Sequence, residues 1–220
     1  MLYKCPVPLE PCSQRCSCKY YTKKEYYTKK EWKSFGKAIA SAAKSQKAGI
    51  VGVALTDAGG VHAGDVANGI VNGAYESTRF KSKKDESESK VSLSGVEFLF
   101  DADSDAIATG VAYARGSLFT RYLVEAPPNV CTPSHLAAAA KHIASICPDR
   151  MSLKVLEKQD CEEIGMGLYL GVAEASKEDP KFIHLTYSPE GGASRKIAIV
   201  GKGLTFDAGG YNLKVGASMI

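Results

Sequence analysis

At 220 residues the chain is long enough for one large or two small domains, and 45% hydrophobic with 24% charged residues is ordinary for a globular protein, which excludes fibrous and wholly disordered classes. No apolar run approaches 18 residues, and residues 1–30 hold no continuous hydrophobic region, so neither a membrane span nor a secretory signal is expected. The net charge of +4 is modest but lopsided, because basic residues crowd into residues 4–33 and leave the rest near neutrality.

Residues 1–31 form a basic arm rich in Tyr and Cys. Such an arm meets phosphates and stacks on bases when a binding fold presents it; none is legible, so it reads as a solvated tail and no nucleic-acid partner is assigned. Cys5, Cys12, Cys16 and Cys18 lie in the arm, and Cys131, Cys147 and Cys161 are dispersed. The odd total argues against a complete disulfide framework, and the arm lacks the paired C-x2-C units of a zinc site, so free thiols are expected. Its lysines, together with Glu10 and Glu25, also make it a poor transit peptide.

Trp32, Phe35, Ile39 and Ala43, spaced 3, 4 and 4, predict a helix over 32–46 with one apolar stripe. A valine-rich strand is expected over 49–55, closed by a turn at Asp57, Ala58, Gly59 and Gly60. A second helix is expected over 65–80, with Val66, Ile70 and Ala74 on one face; Gly69 and Gly73 within it each cost about 1 kcal/mol relative to Ala, which points to close packing. Residues 81–90 alternate charge with serine and read as a solvated loop. Val96, Phe98 and Phe100 alternate as a strand, and Asp103 or Ser104 caps a helix marked by Ile107, Val111, Ala114, Leu118 and Tyr122. Strands alternating with helices give an α/β domain over 32–126.

Pro127 and Pro128 end that helix and mark the domain boundary. Thr132 and Pro133 read as N-cap and first residue of a helix carrying Leu136, Ala140 and Ile143, within a linker region over 127–150. His135 and His142 on that helix are seven apart, beyond metal-pairing distance, and read as surface residues. A further α/β pattern starts at Leu153 and Val155; the apolar stretches 182–187 and 197–200, separated by a turn-rich segment, read as a hairpin, with His184 a packed or hydrogen-bonded strand residue. Glu162, Glu163 and Glu174 have no partner at metal spacing, no G-x-S-x-G elbow occurs and no cysteine carries a nucleophile signature, so any hydrolysis must use metal.

Chemistry concentrates in residues 196–214, KIAIVGKGLTFDAGGYNLK. Ile197, Ile199 and Val200 predict a buried strand, and Gly201 and Gly203 break it into a loop bearing Lys202, Asp207 and Lys214. The lysine between glycines fails the P-loop pattern, and Phe206 stands where a dinucleotide fingerprint needs its third glycine. A metal reading remains, with Asp207 as a hard oxygen donor and Lys202 as a neutral amine whose pKa a cation has depressed. The plain alternative is a glycine loop with two solvated lysines and a capping aspartate.

The segment VGKGLTFDAGGYNLK resembles the signature of the leucyl aminopeptidase family, the two-metal M17 exopeptidases, with Ala208 where the family usually has serine. The resemblance extends through LVEAPPNVCTP and GMGLYLGVAEAS, and more loosely to about Trp32. It implies a macro-like amino-terminal α/β domain, an interdomain helix, and over 151–220 the start of an α/β metallo-exopeptidase domain. It also implies that Lys202 and Asp207 bind metal, Asp207 bridging two divalent ions (manganese, zinc or magnesium), and that Lys214 polarises the peptide carbonyl while a metal-bridging water attacks. Peptide substrates, often with amino-terminal leucine, a homo-hexamer and a cytoplasmic location, with the plastid as alternative, are implied too. The family's remaining metal-binding carboxylates and catalytic arginine have no match here. Two side-chain donors, one of them neutral, do not offset two divalent ions, so the 220-residue chain alone is expected to be inactive and not to hold the metal pair. The rival expectation is a noncatalytic binding or regulatory protein that uses the macro-like domain.

Overall fold

A computed structural model describes residues 28–54, 62–82 and 93–219. Residues 1–27 of the arm, with its four cysteines, the turn expected at Asp57–Gly60 and most of the charged loop lie outside them, while residues 29–31 of the expected arm belong to the first helix. The chain divides into two compact units, Met1–Arg121 and Tyr122–Ile220.

In the first unit, helix α1 (Lys29–Ser45) starts at a capping box: Thr28 accepts from the Glu31 amide, and the Glu31 carboxylate accepts from the Thr28 amide at 2.6 Å. Strand β1 (Ile50–Val53) and strand β2 (Gly95–Phe98) pair in parallel, Ile50 opposite Gly95 and Val53 opposite Phe98. Parallel pairing requires a crossover, and helix α2 (Ala63–Ala74) lies in it. The core gathers Trp32 of α1, Val53 of β1 and Val66 and Ile70 of α2, with Phe35, Ile39, Val51, Leu93, Val96, Phe98 and Phe100 packed against them. The stripe expected on α1 and the alternation expected on β2 therefore both face this core.

Gly69 and Gly73 do serve packing. A Cβ on Gly69 would lie 2.1 Å from the Lys33 carbonyl oxygen, and one on Gly36 would lie 2.2 Å from that of Val66, so α1 and α2 touch backbone to backbone. Helix α3 (Ser104–Val124) begins where the Asp103 carboxylate accepts from the amides of Asp105 and Ala106 at 2.9 and 3.3 Å. It meets α2 at Gly64 and Gly110, where the buried Asn68 donates to the Gly110 carbonyl at 3.0 Å. Helix α2 stops at Ala74 instead of continuing to 80, because Tyr75 turns extended (ψ 130°) and its ring lies 4.4 Å beneath the Arg121 guanidinium.

In the second unit, helix α4 (Pro133–Ile146) has the expected cap, Thr132 accepting from the His135 amide at 3.3 Å with Pro133 in the first turn. Strand β3 (Met151–Leu156), short helices α5 (Lys158–Glu163) and α6 (Gly167–Ala173) and strand β4 (Phe182–Tyr187) follow. The expected hairpin of 182–187 with 197–200 is not formed. β4 pairs antiparallel with β3, Leu153 opposite Leu185, and the Ser188 amide extends that ladder to the Arg150 carbonyl at 2.8 Å. Residues 197–200 form no strand, and Ile197, Ile199 and Val200 are 86–95% exposed. β propensity reflects fit to a neighbouring strand and a covered face, and among the described residues this stretch has neither.

Candidate functional site

The described residues between β4 and a 3-10 turn at Gly216–Met219 run without helix or strand, so local hydrogen bonds shape the candidate site. Asp207 organises it. One carboxylate oxygen accepts from the Gly209 amide at 2.9 Å, and the other accepts from the Lys214 ammonium at 2.7 Å. The same ammonium donates to the Asp207 carbonyl oxygen at 3.2 Å, and the Lys214 amide donates to the Ala208 carbonyl at 3.0 Å. Gly209 and Gly210, with φ of +97° and +60°, turn the chain back in the left-handed region that glycine enters without strain.

These bonds set the electrostatics. The Lys214 hydrogen bond, then the Gly209 amide, then the charge of Lys214 hold the Asp207 carboxyl below its usual range, and the charge of Lys202 adds a smaller lowering. Asp207 and Lys214 remain accessible, with side chains 42% and 36% exposed, so their pair defines an arrangement and contributes little to stability. Lys202 is exposed.

The structure thus joins two of the three expected site residues and leaves the third at the surface. The ion pair was not foreseen, since the sequence reading gave Asp207 and Lys214 separate tasks. Two glycines between an acid and a lysine seven residues later were a usable signal for a loop returning on itself. Elsewhere, His142 and His184 are exposed and His135 is half-buried. Cys131, Cys147 and Cys161 are free thiols; burial, with the nearby Asp160, Glu157 and Glu162 carboxylates, pushes the Cys161 thiol up, away from nucleophilic use. No helix among the described residues is long and apolar enough to cross a membrane.

Whether these residues fit a pair of divalent ions is a question of donors. Among the described residues no three His, Cys, Asp or Glu side chains come together in metal-binding reach, and both Asp207 oxygens are engaged by the Gly209 amide and Lys214. By themselves they do not make a two-metal centre.

Comparison with known proteins places this loop in context. The profile of the Cytosol aminopeptidase family, catalytic domain, matches residues 118–220, and that of the Cytosol aminopeptidase family, N-terminal domain, matches residues 22–84. The chain belongs to the cytosol aminopeptidase family. The chloroplastic leucine aminopeptidase 2 of Oryza sativa subsp. japonica is 41% identical over 196 residues, covering 84% of this chain and 32% of that protein. A probable cytosol aminopeptidase of Picosynechococcus is 46% identical over 188 residues, covering 83% of this chain and 37% of that protein. Among solved structures, a lysine-to-glutamate mutant of tomato leucine aminopeptidase superposes with a TM-score of 0.74 at 35% identity, over 84% of this chain and 38% of that one. The bottromycin maturation enzyme BotP in complex with Mn gives 0.61 at 25% identity, over 72% and 34%. The chain spans about a third of the length of the curated relatives it matches. The aminopeptidase resemblance and the mixed α/β class drawn from the sequence therefore hold for this part of the family's architecture.

Proposed function

We propose that this chain carries the first part of a metal-dependent aminopeptidase that releases amino-terminal residues, leucine among them, from peptides. The observation that carries the reading is the Asp207–Lys214 pair, formed inside the stretch matched by the family's catalytic domain. Lys202 and Asp207 are the proposed metal donors. The ions would be manganese, zinc or magnesium, and when bound they would supply Lewis acidity and an activated water. Lys214, whose ammonium is held at the acid, is the group proposed to face the substrate carbonyl, where a positive charge favours the developing oxyanion. With one carboxylate and one amine, residues 202–214 need further anionic ligands before they hold two ions, so the 220-residue chain by itself is proposed to be inactive.

The proposed domain division is an arm over 1–31, a macro-like amino-terminal domain over 32–126, a linker and interdomain helix over 127–150 and the start of the catalytic domain from 151. Hexameric assembly belongs to the same reading. The location proposed is cytoplasmic, with the plastid as alternative, an option supported by the chloroplastic names of several relatives. The test is a chimera in which residues 1–220 replace the matching third of the rice leucine aminopeptidase. It should hydrolyse leucine p-nitroanilide with added Mn2+ and lose that activity with Asp207→Asn. A folded, metal-loaded chimera without activity would refute the proposal.

A further inference from the structure

We propose that Gly209 is a positioning residue for Lys214: its missing side chain and left-handed backbone let residues 207–214 fold back until the Lys214 ammonium rests on the Asp207 carboxylate. The purpose of this arrangement rests on the role proposed above for Lys214, while its geometry stands without that role. A Cβ on Gly209 would lie 2.5 Å from the Asn212 carbonyl oxygen, 2.9 Å from the Lys214 amide nitrogen and 3.0 Å from Lys214 Cγ. Two of these are backbone atoms of the returning limb, which cannot swing aside as a side chain would. Relieving the overlap moves the limb, and Lys214 moves with it.

Gly209 also acts on the other partner. Its amide holds one Asp207 oxygen at 2.9 Å, which turns the second oxygen to the Lys214 ammonium at 2.7 Å. Neighbouring glycines do not share this position: at Gly201, Gly203, Gly210 and Gly216 an added Cβ would meet nothing within 4 Å. Gly210 has the same sign of φ, at +60°, so it separates the effect of backbone strain from that of the close approach. A lysine side chain loses rotamer freedom when it is held, and a charge that must meet an oxyanion gains from being held in advance.

The test uses the 220-residue chain labelled with 15N-lysine, reading the Lys214 Nζ resonance, with Lys214→Met for assignment. In the wild type it should lie apart from exposed lysines such as Lys202. Asp207→Asn and Gly209→Ala should bring it to the exposed-lysine position, while Gly210→Ala leaves it in place, and the β3 and β4 amides should stay fixed throughout. The unmodified chain supplies a second measurement, a nuclear Overhauser contact between the Gly209 Hα and Lys214 Hγ protons. Its absence, a wild-type Lys214 signal in Gly209→Ala, or an equal shift in Gly210→Ala would each overturn the proposal. None of these readouts is an activity, so a chimera in which Lys214→Ala turns over normally would remove the catalytic role and leave the positioning role intact.

Discussion

Substituting Gly69 by alanine tests the backbone contact that joins α1 to α2. The new Cβ would stand 2.1 Å from the Lys33 carbonyl oxygen and 2.9 Å from Gly36 Cα, where ordinary contact begins near 3.4 Å, so the helices must part by more than an ångström along the seam that carries Trp32, Val66 and Ile70. No rotamer change relieves a clash with backbone. The overpacking cost therefore lies at the upper end of the usual range, about 3 kcal/mol. Alanine returns about 1 kcal/mol through its better helix propensity, leaving a net loss of about 2 kcal/mol. Gly116 on α3 is the matched control: an added Cβ there meets nothing within 4 Å, so Gly116→Ala keeps the propensity gain and should stabilise by up to about 1 kcal/mol. Urea unfolding followed by circular dichroism reads both. Equal shifts in midpoint for the two variants, or a stabilised Gly69→Ala, would refute the argument that these helices need their glycines to touch.

In the chimeric enzyme, Lys214→Ala should lower turnover about 100 to 1000-fold with metal content near normal, as expected for a group that acts on the carbonyl; metal loss by elemental analysis would contradict that role. Because the Lys214 and Gly209 hydrogen bonds depress the Asp207 carboxyl, the ion pair should persist as pH falls through the ordinary aspartate value of about 3.9 and be lost only below it. Carbon-13 titration of the Asp207 carboxyl should show this midpoint rising toward the ordinary value in Lys214→Ala, and an unmoved midpoint would exclude the lysine as its cause. Among the described residues, limited proteolysis of the 220-residue chain should cut first within 188–215, where helix and strand are absent and Ile197, Ile199, Val200 and Tyr211 are exposed; earlier cuts inside α1 or α2 would contradict this.

Where helical periodicity met a local start signal, the sequence was readable. Trp32, Phe35, Ile39 and Ala43 pointed to one face, and Asp103 and Thr132 sit at the helix starts they were expected to cap. A helix carries its hydrogen bonds within itself, so its pattern is local. Strand pairing is not local: the β-branched run at 197–200 looked as strong as 182–187, yet the ladder for β4 came from β3, some thirty residues earlier in sequence. The end of α2 was missed for a related reason, since Tyr75 leaves the helix to meet Arg121 on α3. At the candidate site the residue types were legible and their mutual contact was not, because it depends on the backbone turn at Gly209.

The Asp207–Lys214 pair also bears on what the complete centre requires. In the described residues the carboxylate is already neutralised by an ammonium, so a divalent ion at Asp207 must displace Lys214 or share the acid with it. Sharing leaves the ion and the ammonium close together with one negative charge between them. That arrangement is unfavourable in proportion to how far water is excluded. Displacement would leave the Lys214 ammonium in need of another oxygen acceptor, which its flexible four-carbon stem could reach. Loss of the carboxylate carries its own cost for the ammonium, so exclusion of water penalises both arrangements. Under the proposed function Lys202 and Asp207 would hold the ions, which would supply Lewis acidity, and Lys214 would face the substrate carbonyl, so one carboxylate serves both kinds of cation. Further carboxylates around the ions would lower the net positive charge, and with it the repulsion that sharing the acid entails.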